Sequence, residues 1–168
     1  MSPRRPRATA VRRSLLAAAA LAGLVAVPAA MAEGNQPDLN AVREATARFH
    51  DVGQAENAGY ARFLDCFDDG HGDGMGQHYV NMTLLADGGA VDARHPEALV
   101  YDTSSGRTRL VAVEYVVPGA PTDRPPHLLG RDFTYLPSLG VWKLHYWIWR
   151  ANPDGLFADY NPDVPACA

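Results

Sequence analysis

The chain has 168 residues, 47% of them hydrophobic and 20% charged. Five of its 15 Lys and Arg fall in the first 32 residues and none of its 19 Asp and Glu do, so the remainder carries 10 basic against 19 acidic groups, a formal balance of −9. A chain so acidic repels phosphate backbones, which argues against nucleic-acid binding. The 136 residues left when 32 are taken from 168 suit one domain with one core.

The leader comes first. Arg4, Arg5, Arg7, Arg12 and Arg13 make a basic start, Leu15 to Val27 an apolar run, and Ala30-Met31-Ala32 a small-x-small cleavage site. That is the pattern of a signal peptide, residues 1–32, cut after Ala32, and the run is too short for a membrane span. Arg12-Arg13 before Ser14-Leu15-Leu16 resembles a twin-arginine export signal, with Leu in place of the usual Phe. No cysteine follows the run, so no lipid anchor is expected. The expectation is a secreted or extracytoplasmic domain, 33–168, with no stable membrane anchor. Its two cysteines, Cys66 and Cys167, read as a disulfide in an oxidising compartment. Closing a loop of about 100 residues contributes roughly 4–5 kcal/mol in the chain-entropy account.

Asp38 is placed to cap a helix that begins at Leu39, with Val42, Ala45, Phe49 and Val52 at helical spacing. After Gly53 a second helical segment is expected over roughly Ala55 to Phe67, its apolar positions being Ala58, Ala61, Phe63, Leu64 and Phe67. Asp68-Asp69-Gly70 stops it. Gly70, Gly72, Gly74 and Gly76 then alternate. A strand-like segment runs from Gln77 to Leu85, and Asp87-Gly88-Gly89 is a turn. Ala98 to Tyr101 and Leu110 to Val117 read as strands separated by a turn at Ser104-Ser105-Gly106. Ala120 to Pro126 is a proline-rich loop, Leu128-Leu129-Gly130 a short edge strand, and Val141 to Arg150 the last long strand. The tail carries turns and docking hydrophobics. Helices first and strands after, without alternation, point to α+β: one or two N-terminal helices packed on a curved, mainly antiparallel sheet.

Alternation along these strands selects the residues able to do chemistry. Glu114 shares a face with Ala112 and Val116 and has valines on both sides, so burying it demands a partner or a metal. His145 shares a face with Lys143, Trp147 and Trp149, and His78 with Val80. His78, Glu114 and His145 thus offer two imidazoles and a carboxylate from three β segments. That set suits a divalent transition metal such as zinc, copper or iron, and leaves sites open to water or substrate. His71 and His127, in loops, are candidates for a further ligand. The competing reading pairs Glu114 with Arg109, Arg131 or a tyrosine and makes the histidines hydrogen-bonded core groups. No HxH, HExxH or CxxC spacing demands a metal. The one lysine, Lys143, is read as coding bias.

The aromatic residues suggest a pocket for a small apolar molecule, with Tyr115, Trp147 and Trp149 as its lining; a packed core is the competing use. Asp69 to Gly74 resembles a calcium loop, but His71 stands where the second acid belongs and Val80 where the last Glu belongs. The glycine stretch has no Lys-Ser/Thr and follows a helical segment, so it is not a nucleotide cradle.

GMGQHYVN, HPEALVY, LVAVEYVVP and LHYWIWRANPDGLF together resemble an uncharacterised family of small exported bacterial proteins. The resemblance implies export and one domain, and it assigns no activity or site residue. Three functions are therefore carried forward. The first is a His/Glu metal or polar site beside an aromatic pocket. The others are a non-enzymatic binder of a small apolar ligand, and an extracellular interaction domain using the tail from Asn152 onward.

Overall fold

Asp38 in the first turn and Arg43 in the last complement the dipole of α1, Gln36–Thr46. The computed structural model describes residues 36–166, with side chains from Asp38 onward; the expected leader, 1–32, and Cys167 lie outside them. After α1 the chain tightens into a 3-10 turn, Ala47–His50, and restarts as α2, Val52–Asn57. Asp51 caps α2 by accepting the Gly53 N–H at 3.0 Å. Val42, Phe49 and Ala55 are the buried apolar positions of this run, and Thr46 is buried with them.

The helix expected over 55–67 does not form beyond Asn57. Gly59 takes φ 94°, and the chain turns into β1, Tyr60–Arg62, which pairs with Asn81 to Tyr79. The spacing of Ala58, Ala61 and Phe63 imitates a helix, but the strand ladder and the Tyr60 hydroxyl bond to the Pro96 carbonyl, 2.7 Å, outweigh that local preference. A second short strand, β2, Phe67–Asp68, follows.

Next come β3, Asp73–Asn81, a short helix α3, Met82–Leu85, and the strands β4, Ala98–Asp102, and β5, Arg109–Pro118. A separate two-stranded ribbon, β6, His127–Leu128, and β7, Arg131–Asp132, turns at Leu129 and Gly130, φ 53° and 74°. Then follow β8, Thr134–Leu136, β9, Val141–Tyr146, and β10, Asn161–Pro165. The main sheet runs β1-β3-β4-β5-β9-β8, with β2 and β10 both pairing with the start of β3. Every pairing is antiparallel and the sheet stays open. The fold is α+β, as helices-then-strands implied.

Two glycines make this possible. A Cβ on Gly74 would lie 2.2 Å from the Pro165 carbonyl oxygen, where β10 crosses close to β3. Gly76 has φ 103°, and a Cβ there would lie 2.8 Å from the Tyr101 carbonyl oxygen. A bulge between Val100 and Tyr101 disturbs β4 against β5 at the same end.

The sheet has two different faces. On one, Leu99, Tyr101, Val113, Tyr115, Leu144 and Tyr146 join Val42, Phe49 and Ala55 in the larger core. On the other, Val100, Val111, Ala112, Trp147 and Val164 form a smaller one. The strand expected to reach Arg150 leaves the ladder after Tyr146: the Trp147 N–H bonds Leu156 O at 2.9 Å and the Trp149 N–H bonds Val111 O at 3.1 Å. No helix among the described residues is long and apolar enough to cross a membrane.

Candidate functional site

Register brings the three predicted side chains to the smaller-core face. Glu114 on β5 pairs with His145 on β9 and, on its other side, with Ala98 on β4. His78 on β3 pairs with Val100, two residues along β4 from Ala98. The intervening Ala98 is small and fully covered, which leaves room for His78 to reach over β4. Its Nε2 lies 3.2 Å from Glu114 Oε2. The His78 and His145 rings stand 6.2 Å apart, and His145 lies against Trp147 at 4.6 Å. All three polar groups are buried, at 4%, 7% and 1% exposure for His78, Glu114 and His145.

Their electrostatics differ. Burial alone pushes the Glu114 carboxyl up. The hydrogen bond from His78 and the charges of His78, His145 and Lys143 overcome that, and hold it down at about 2. Burial pushes His145 down to about 3, against the pull of Glu114. Glu114 is therefore a carboxylate at neutral pH and His145 a neutral ring. An ionised carboxylate only accepts, so the His78 proton facing it sits on Nε2. That leaves His78 Nδ1 buried without a partner, and both His145 nitrogens are in the same condition.

This cluster borders a cavity of about 560 Å³. Phe63, Phe67, Met75, Val80, Leu85, Val116, Leu136, Leu139 and Val141 make its apolar wall. His78, Glu114, Lys143 and Asp159 are its charged and ionisable groups, joined by Ser138 and Tyr160. Lys143, 7% exposed, is ion-paired with Asp159 from the segment ahead of β10. The Phe67 ring meets His78 edge-on at 5.1 Å.

The residues expected to line a pocket are placed elsewhere. Tyr115 points into the helix-side core and its hydroxyl donates to Ala93 O at 2.8 Å. Trp147 packs beneath His145, with its Nε1–H on Ala158 O at 2.7 Å. Trp149 donates to Thr46 Oγ1 at 3.1 Å and stacks edge-on with His50. The cause is the departure of the chain from the ladder after Tyr146, which ends the alternation that had grouped these tryptophans with His145. His71 is exposed in the turn before β3, its N–H held by Asp69 at 2.7 Å. His127 is exposed on β6 and paired with Asp132 at 2.7 Å. Neither borders the cavity. Among the described residues, no group of three or more His, Cys, Asp and Glu is set to hold a metal ion.

Sequence reasoning missed Phe63 and Phe67, assigned to a helix face, Leu136 at the end of β8, and the turn residues Ser138 and Leu139. Val80, Val116 and Lys143 had a usable signal, since each shares a strand face with His78, Glu114 or His145. Cys66 is not a free thiol. The Ala166 N–H bonds Gly72 O at 3.1 Å, so the chain approaching Cys167 runs beside the turn between β2 and β3.

Comparison with protein-family models, curated proteins and solved structures finds no match to this chain.

Proposed function

We propose that the domain binds a small, mainly apolar molecule that presents one hydrogen-bonding group to the His78–Glu114 pair. The observation that carries this is a buried, ionised carboxylate and its imidazole partner set in the wall of an otherwise apolar cavity. A buried pair of this kind is weak evidence for stability, because apolar residues of similar volume often serve as well or better. Its place on an apolar cavity is the usual arrangement of a small-molecule site, in which a few polar groups orient the ligand. Export by the leader, through the twin-arginine route, and a Cys66–Cys167 disulfide belong to the same proposal. The family resemblance supports export.

The test uses N-phenyl-1-naphthylamine, an apolar fluorophore with a single N–H. Its emission is expected to rise on mixing with the purified protein, and Val116→Trp, which fills the cavity, is expected to abolish the rise. No rise with the parent protein, or an equal rise with a folded Val116→Trp, would overturn the proposal.

A second reading is favoured by the unpartnered nitrogens of His78 and His145. Two imidazoles on one ion place ring centres roughly 5–6.5 Å apart, given ligand bonds near 2 Å, and these rings are 6.2 Å apart. In this reading His78, Glu114 and His145 close on zinc, copper or iron once the His78–Glu114 contact opens. Elemental analysis is then expected to find stoichiometric metal that His78→Ala with His145→Ala removes. Metal-free protein whose melting is unmoved by added zinc or copper ends this reading.

A further inference from the structure

Lysine is among the residues least often buried, and when buried it is paired. This chain has one lysine, and it lies 7% exposed on the cavity wall. Register puts Lys143 opposite Val116 and two residues from His145 on the same strand. Its partner Asp159 keeps 44% of its side chain in solvent and lies outside the strands, so water can take its place. A primary amine thus faces an apolar chamber, with a carboxylate at hand to receive its proton.

We propose that Lys143 captures an apolar aldehyde or ketone as a Schiff base in this cavity. The inference rests on the cavity-binding reading above and names the ligand class. Buried lysines in apolar surroundings are suited to this chemistry. Asp159 takes one proton from the ammonium, and the freed Nζ lone pair attacks the carbonyl carbon. The C=O π electrons move to oxygen, which receives that proton. The nitrogen of the resulting carbinolamine, still carrying two protons, gives one through Asp159 to the hydroxyl, which leaves as water, and the C=N bond forms as a protonated imine. Lys-NH3+ and the carbonyl compound become the iminium and one water, with no net change in charge, and hydrolysis reverses the step.

The experiment treats the purified full protein with 2-naphthaldehyde and sodium cyanoborohydride, then reads intact mass and peptide map. Reduction of the imine fixes a mass gain equal to the aldehyde less its oxygen. With a single lysine present, the chain's α-amine is the one competing primary amine. Lys143 is expected to be labelled faster than the α-amine, by about tenfold or more from proximity. The aldehyde is also expected to displace N-phenyl-1-naphthylamine. Lys143→Arg keeps the cation for Asp159 and removes the nucleophile, so it should lose the internal label while the α-amine is still labelled. Label confined to the α-amine while the probe still binds overturns this inference alone. Loss of both label and probe binding overturns the cavity reading as well.

Discussion

The two faces of the sheet treat buried polar groups in opposite ways. On the helix side the hydroxyls find backbone acceptors: Tyr101 bonds Phe49 O at 2.8 Å, Tyr115 bonds Ala93 O at 2.8 Å and Tyr60 bonds Pro96 O at 2.7 Å. On the cavity side His78 Nδ1 and both nitrogens of His145 are buried with no partner. Buried polar groups in folded proteins are nearly always satisfied. The tyrosines fasten loops and helix to the sheet, which is a structural task completed within the chain. The imidazoles hold hydrogen-bonding capacity in reserve, His78 on the cavity wall and His145 behind it. One side of the sheet satisfies its polar groups within the fold and the other leaves three buried nitrogens without partners.

The largest expected effect sets the two faces directly against each other. Tyr101 is fully buried among the helix-side residues and holds Phe49 O. Tyr101→Ala should cost about 3–5 kcal/mol, the range for deleting a large buried aromatic. Val116, bordering the cavity, already faces empty space on one side. Val116→Ala should cost about 1 kcal/mol or less, since few contacts are lost. Urea denaturation of both variants checks the pair. Equal losses would mean that the cavity side is as tightly packed as the helix side.

Much of this contrast was legible in the chain, but not all. Alternation in LVAVEYVV put Glu114 and Tyr115 on opposite faces, and the structure keeps them there. It also assigned His78 and His145 to one face of their own strands, and the sheet register, which the sequence did not supply, sets those faces on the Glu114 side. The rule failed where the chain left regular structure. Trp147 and Trp149 follow the end of β9, so period two no longer applies to them. Residues 58–67 carry apolar spacing that fits a helix, yet long-range pairing with β3 makes strands of them. Leu64 then adopts φ 53°, a conformation no spacing rule anticipates for leucine. The cavity wall was hidden because it gathers residues from Phe63 to Tyr160 across many elements, and its contributors at the β8–β9 turn, Leu136, Ser138 and Leu139, show no period.

The next effect is acid sensitivity, in which the faces compete. Glu97, buried just ahead of β4, accepts the Val116 N–H at 2.9 Å. Burial pushes its carboxyl up from 4.5 to about 7, with Asp87 and Asp92 adding to the rise. A raised carboxyl binds its proton more tightly folded than unfolded, so this group loses stability as pH climbs from 4.5 to 7. His145, lowered from 6.5 to about 3, does the reverse: the unfolded ring takes a proton that the folded ring refuses, and stability falls as pH drops through that window. Between pH 4.5 and 6.5 the two slopes oppose, and these groups should leave stability nearly flat. Below 4.5 Glu97 is protonated in both states. Glu114, lowered from 4.5 to about 2, then joins His145. Two protons favour unfolding there, a slope of roughly 2.7 kcal/mol per pH unit. Glu97→Gln should remove the opposing slope and make stability fall on acidification from pH 6.5. Denaturant midpoints across pH 3 to 8 measure both; a profile unchanged by Glu97→Gln would show that the helix-side carboxyl does not titrate as described.

The smallest effect has the most informative sign. Replacing a satisfied polar group on the helix side, as in Tyr115→Phe, should cost about 1–2 kcal/mol, because the Ala93 carbonyl is left bare. Replacing His145 by Leu removes two buried nitrogens that bond nothing, and exchanges a ring packed on Trp147 for an apolar side chain of similar bulk. His145→Leu should therefore be neutral or stabilising by up to about 1 kcal/mol, as for other unsatisfied buried polar groups. Its cost should fall on the cavity. A hydrogen-bonding ring beside the His78–Glu114 pair is lost. Weaker probe binding alongside unchanged or improved denaturant resistance is the expected pattern. A clear loss of stability in His145→Leu would mean that the ring does meet a partner in solution. The cavity face would then be as self-contained as the helix face.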